Sequence, residues 1–181
     1  MTSDSDQRRV TAGSPFSVAI HGADTLPPAQ LAAVAAIEAS CFDHPWGASG
    51  LGATLASSEA KMALLFAEPA EAVAAYCLYQ RILDEIEIFQ LATAPSRQRQ
   101  GLGRRLLDAV LARAAGEGCQ AAFLEVRRSN LAACALYTGA GFAAAGVRRS
   151  YYPVIAAGGA VTGREDALLL RCALQSAAKT Q

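Results

Sequence analysis

The chain has no excess of either charge: 16 lysines and arginines face 16 aspartates and glutamates in 181 residues. A general nucleic-acid binder needs a basic excess to neutralise phosphates, so that class is excluded. Lysine is nearly missing, with Lys61 and Lys179 alone, and almost every cation is an arginine, the better fork for phosphate. His21 and His44 are the only histidines, lie far apart and complete no metal-ligand set. The cysteines Cys41, Cys77, Cys119, Cys134 and Cys172 include no CxxC pair and sit in or beside apolar segments. They read as small buried hydrophobes of a reducing compartment, not as a disulfide frame or zinc site. No apolar run approaches the ~20 residues of a membrane span. The polar start MTSDSDQRRV lacks the apolar core of a signal peptide. These absences imply a cytoplasmic protein with no membrane, nucleic-acid or metal partner.

What remains is 52% hydrophobic and 18% charged, the balance of a globular chain. The length suits one domain with a full core. Residues 1–14 read as a flexible polar tail, 15–174 as a single domain and 175–181 as a C-terminal tail. Phe16–Ile20 suits a first strand, and Leu26-Pro27-Pro28 opens a helix bearing Leu31, Val34, Ile37 and Cys41 on one face. FDHPWG, 42–47, is a loop, followed by a short helix over 48–57. Met62–Ala67, Ala72–Gln80 and Glu85–Thr93 read as an antiparallel meander with turns at Pro69 and Leu83-Asp84. The period then changes. Leu102, Leu106, Val110 and Ala114 repeat every four residues, a helix ending at Gly116 or Gly118. Ala121–Val126 is a strand, Ser129 or Asn130 caps another helix, and 142–152 with 167–172 close the fold around loop 156–163. The layout is α+β: a mixed, mostly antiparallel sheet flanked by helices.

One junction stands out. RQRQGLGRR, 97–105, crowds four arginines around two glycines between a strand and a helix. A helix start offers unpaired N–H groups and partial positive charge, and glycine lets an anion come close. Leu106 stands where a dinucleotide fingerprint needs its third glycine, and no Gly-Lys-Ser/Thr ending makes a P-loop. The alternatives for this junction are an anion site and a basic helix entry.

The arrangement Arg99-Gln100-Gly101-Leu102-Gly103-Arg104 after a strand resembles the acetyl-CoA pyrophosphate loop of the GNAT acyltransferases. Downstream, LEVRRSNLAACALYTGAGF (124–142), VRRSYYP (147–153) and GRED (163–166) are similar to the RimI-type ribosomal-protein-alanine N-acetyltransferases within that family, as are FDHPWG and LDEIEIFQLAT (83–93). The resemblance runs from about residue 16 to 173. It implies the GNAT fold, with a sheet splayed at strands 4 and 5, and transfer of acetyl from acetyl-CoA to the N-terminal alanine of a ribosomal protein.

Residue by residue, the resemblance implies that Leu91, Ala92, Thr93, Arg99, Gln100, Gly101, Leu102, Gly103, Arg104 and Asn130 hold acetyl-CoA. Glu125, in the apolar strand AAFLEV, would be the general base; without the family, a strand-end ion pair with Arg127 or Arg128 is the favoured explanation. Partial burial would raise its pKa, which suits deprotonation of an α-amine of pKa about 7.7–8.0. Asn130 and Tyr137, seven residues apart, would share a helix face, with Tyr137 protonating the departing thiolate. Trp46, Glu85, Arg148, Arg149, Tyr151 and Tyr152 are candidates for acceptor binding. The amine would attack the thioester directly in a ternary complex. VIAAGGAVT, 154–162, is longer than the subfamily leads one to expect, which leaves protein lysines, other N-termini or a small amine as alternative acceptors. A CoA-binding domain without turnover is a further rival, disfavoured by the presence of both Glu125 and Tyr137.

Overall fold

A computed structural model describes residues 16–67, 72–156 and 159–175. The polar tail 1–14, the turn at Pro69 and all but Gln175 of the C-terminal tail lie outside the described residues, as do 157–158 of the long loop. The strands β1 (Phe16–His21), β2 (Ala60–Ala67), β3 (Ala72–Ile82), β4 (Glu85–Thr93), β5 (Ala121–Arg127), β6 (Ala143–Ile155) and β7 (Val161–Ala173) are hydrogen-bonded in the order β1-β2-β3-β4-β5-β7-β6. The helices are α1 (Pro28–Cys41), α2 (Gly47–Leu55), α3 (Leu102–Gly116) and α4 (Leu131–Gly139). The α+β architecture expected from the sequence is present. The chain divides into two compact units: residues up to Gln80 with Gln90–Val110, and Arg81–Phe89 with the residues from Leu111 on.

In the first unit β1 and β3 flank β2, both antiparallel to it. AKMALLFA forms a strand buried on both faces, with Met62, Ala63, Leu64 and Leu65 fully enclosed, which is why it is continuously apolar rather than alternating. Helix α1 starts with Pro28 in its first turn, where a missing N–H costs nothing. It buries Val34 and Ile37, and also Glu38. Helix α2 buries Leu51 and Leu55. The four-residue stripe of α3 is buried as its spacing predicts, at Leu102, Leu106 and Val110 in this unit, with Leu107 widening it.

In the second unit the first half of β4 pairs in parallel with β5, Glu85 opposite Ala121 through Ile88 opposite Leu124. Registered pairing stops there, although β4 runs on to Thr93 and β5 to Arg127. On its other side β5 pairs with β7 over its whole length, and β7 pairs with β6.

The closing hairpin differs from expectation. Strands over 142–152 and 167–172 with a loop at 156–163 become two 13-residue strands. Pro153 pairs with Arg164, Val154 with Gly163 and Ile155 with Val161. Val154 and Ile155 on β6 and Val161 and Thr162 on β7 therefore lengthen the hairpin, because β-branched residues suit a ladder. The hairpin also carries a bulge between Arg148 and Tyr152, where Ser150 has φ 50°. GRED stitches that bulge shut. Arg164 donates to the carbonyls of Ser150 and Tyr151, both at 2.6 Å, and Asp166 accepts from the Ser150 N–H at 3.0 Å.

Candidate active site

The glycine junction lies in the first unit. After β4, a 3-10 turn over Pro95–Arg97 leads to Arg99 at φ 62° and Gly101 at φ 75°. A Cβ on Gly101 would meet nothing within 4 Å, so the glycine is there for its left-handed backbone, not for space. Helix α3 begins at Leu102, and its first-turn amides have no acceptor within the helix. The Arg104 side chain is turned along the helix, its Nε donating to Asp108 at 2.8 Å. Gln98 Nε2 donates to the Thr93 carbonyl at 3.2 Å and fixes the strand end just before the junction. The Cys41 thiol donates to the same carbonyl at 3.5 Å, and burial pushes its pKa up. Leu91 and Thr93 stand on one face of β4; Ala92 is buried on the other.

The same unit holds a polar network that sequence reasoning missed. Glu38 is fully buried, and its carboxylate accepts from the N–H groups of Trp46 (2.8 Å) and Gly47 (2.9 Å) and from Gln90 Nε2 (2.8 Å). Gln90 in turn accepts from the Tyr76 hydroxyl at 2.9 Å. The carboxylate thus sits at the start of α2, where unpaired amides and the helix dipole favour negative charge. It binds the FDHPWG loop to α1 and leaves Trp46 43% exposed. The available signal was a glutamate four residues after Val34, on the apolar face of α1.

The second unit gathers carboxylates. Glu85 and Glu87 of β4, Glu125 of β5 and Arg148 of β6 line one pocket of about 260 Å³, floored by Phe123 and Leu169. The rival reading of Glu125, an ion pair with Arg127 or Arg128, does not form: Arg127 binds Glu165 at 3.0 Å and Arg128 binds Asp166 at 3.1 Å. Glu125 Oε1 instead accepts from Arg148 Nε at 2.9 Å. The reason is topological. Arg127 and Glu125 share one face of β5, but β7 supplies acids only at the Arg127 end, whereas Leu169 stands opposite Glu125. Arg148 also lies over the Tyr151 ring, 5.3 Å from its centroid, and Arg127 over the Tyr152 ring at 4.5 Å. Tyr151 and Tyr152 meet edge to face at 5.0 Å. Burial raises the Tyr152 phenol pKa, and the Glu125 carboxylate nearby raises it further. Arg149 is exposed within the bulge.

Asn130 stands just before α4 and Tyr137 within it. Asn130 is the N-cap, outside helical geometry at φ −79°, ψ 73°, and its side-chain oxygen accepts from Ala133 N–H at 3.1 Å. Tyr137 is 7% exposed and packs edge-on against Phe142 at 5.7 Å. Glu165 fixes the turn before α4, accepting from Ser129 N–H and Arg127. Hydrogen bonding from Ser129, reinforced by Arg127, holds its carboxyl below the usual range. Among the described residues no cluster of three or more His, Cys, Asp or Glu is placed to hold a metal ion, and no helix is long and apolar enough to cross a membrane.

Residues 31–142 match the acetyltransferase (GNAT) family. The chain is 37% identical over 147 residues to the [ribosomal protein bS18]-alanine N-acetyltransferase of Escherichia coli K12, covering 81% of this chain and 93% of that one. It is 34% identical over 118 residues to the protein of the same name in Haemophilus ducreyi, covering 65% and 79%. The crystal structure of the ribosomal-protein-S18-alanine N-acetyltransferase from E. coli superposes with a TM-score of 0.75 at 32% identity, covering 91% of this chain and 98% of that one.

Proposed function

This chain belongs to the acetyltransferase (GNAT) family, and we propose that within it the protein acetylates the N-terminal alanine of a ribosomal protein in the cytoplasm, with acetyl-CoA as donor. The observation that carries the acceptor is the 37% identity, over nearly the full length of the relative, to an enzyme named for that reaction. The pocket supports it: three carboxylates against one guanidinium suit a protonated amino terminus.

In this reading the amides from Arg99 to Arg104 receive the pyrophosphate, as the start of α3 and its left-handed entry favour. Leu91, Ala92 and Thr93 offer main-chain groups to the pantetheine and to the thioester oxygen. Asn130 uses the amide nitrogen left over from its capping bond. Glu125 takes a proton from the acceptor amine, directly or through one water, and the neutral amine attacks the thioester carbon. Tyr137 returns a proton to the thiolate; a phenol is the weaker acid, so the transfer follows charge development on sulfur. Trp46, Glu85, Arg148, Arg149, Tyr151 and Tyr152 form the acceptor contacts.

The test is intact-mass analysis of acetyl-CoA reactions with two peptides, one with a free N-terminal alanine, one N-blocked with an internal lysine. We expect one acetyl group on the first alone, with the rate falling by about 10²–10⁴ in Glu125→Gln, the span of general base catalysis. Acetylation of the lysine peptide instead would transfer the protein to a side-chain acceptor. The lengthened 153–164 hairpin is the feature that favours that second reading.

A further inference from the structure

We propose that Arg148 is a lock on Glu125: its guanidinium occupies the carboxylate oxygen that would take the acceptor's proton, until the cationic amine of an acceptor displaces it. The inference rests on the reading of Glu125 as the general base. The two partners are unequal. The Glu125 side chain is 20% exposed and held in the middle of β5, whereas that of Arg148 is 53% exposed, so the arginine is the one free to leave. The Tyr151 ring, already 5.3 Å from its guanidinium, gives it a place to lie when it does. Arg127 and Arg128 cannot take over, since Glu165 and Asp166 hold them.

The chemistry follows from charge. A half-buried carboxylate is costly without a cation beside it. Exchanging guanidinium for ammonium keeps it compensated throughout, and Glu85 and Glu87 in the same pocket draw the ammonium in. Water carries no charge and cannot make the exchange. A Glu125 freed of Arg148 would activate water as readily as an amine. The water proton would pass to Glu125, its oxygen would bond to the thioester carbon, the carbon–sulfur bond would break, and the thiolate would leave and take up a proton. The products are acetate and CoA. The lock therefore makes consumption of acetyl-CoA conditional on a charged acceptor.

The experiment measures CoA thiol release from acetyl-CoA without acceptor, for wild type, Arg148→Met, Arg148→Lys and Arg148→Met combined with Glu125→Gln. Release should rise about fivefold in Arg148→Met, equivalent to ~1 kcal/mol. It should fall below the Arg148→Met level in Arg148→Lys, which restores a cation, and return to baseline in the double variant. Thermal melting establishes that each variant is folded, and Arg148→Gln replaces Arg148→Met if the latter is not. Release at the wild-type level in the uncharged variant overturns the lock, as does a rise that survives Glu125→Gln. Peptide transfer in the same preparations separates the two failures. If Glu125→Gln loses transfer while Arg148→Met gains no release, the lock alone is wrong. If Glu125→Gln retains transfer, the base reading fails and the lock fails with it.

Discussion

At the scale of single residues, two glutamates in apolar surroundings show different answers to one problem. Glu38 meets the cost of burial with three hydrogen bonds from amide groups. Glu125 meets it with a partly solvated arginine. The first solution fixes structure; the second leaves an exchangeable partner. Sequence alone made Glu125 conspicuous, as a lone charge in AAFLEV, but its role came from the family resemblance. Glu38 was equally visible on the face of Val34 and Ile37, and was passed over because a helix tolerates glutamate so readily. Nor was Arg148 legible as the partner of Glu125, since the pairing depends on how β6 and β7 register. Tyr152 gives a direct check on this geometry. Glu125→Gln should lower its phenol pKa, yet leave it above the ordinary value of about 10, because burial is the larger cause. Ultraviolet titration of phenolate absorbance against a Tyr152→Phe control reads the shift. An unchanged Tyr152 would mean that the carboxylate is not beside it.

At the scale of elements, the helices and central strands follow from periodicity within a few residues, because α3 and β4 have one buried face and alternate cleanly. The closing hairpin did not, since its ladder is secured by side chains. Glu165 ties that hairpin to Arg127 of β5 and to the Ser129 amide. Its carboxyl is held below the usual range, so the stability it contributes is present above the unfolded-state pKa of about 4.3 and is lost as pH falls through the lower folded value. Glu165→Gln should therefore cost about 1 kcal/mol at neutral pH. Urea unfolding should show the gap to wild type closing below pH ~4. Helix α2 offers the second prediction. Gly→Ala inside a helix ordinarily stabilises by about 0.5–1 kcal/mol. At Gly50 a Cβ would come within 2.8 Å of Trp46 Cβ, so the helix must shift against the network on Glu38. We expect Gly50→Ala to destabilise instead, with a lower melting temperature and a blue- or red-shifted Trp46 emission. Gly52, with nothing within 4 Å, is the control that should behave ordinarily.

At the scale of the whole molecule, zero net charge conceals local polarity. The second unit concentrates three carboxylates around one pocket, while the arginines of the first unit cluster at the start of α3. For a cationic peptide the KM should rise about twofold to fivefold on going from low to high ionic strength, as partly exposed charges are screened. A peptide lacking a free amine should show no such dependence in competition. The arginine cluster was legible as the run RQRQGLGRR, but the carboxylate pocket was not, because strand pairing and register bring Glu85, Glu87 and Glu125 together.

The alternation of β4 has a consequence for how the protein reaches its native state. Ile86, Ile88, Gln90 and Ala92 are buried; Glu85 and Glu87 occupy the opposite phase. A slip of one residue would turn the two glutamates inward, turn the two isoleucines outward and take Gln90 away from Glu38. Misalignment is thus penalised by stranded charge, lost apolar burial and the loss of one of the three hydrogen bonds on a buried carboxylate at once. A strand read for its chemistry is also a self-checking piece of the folding code.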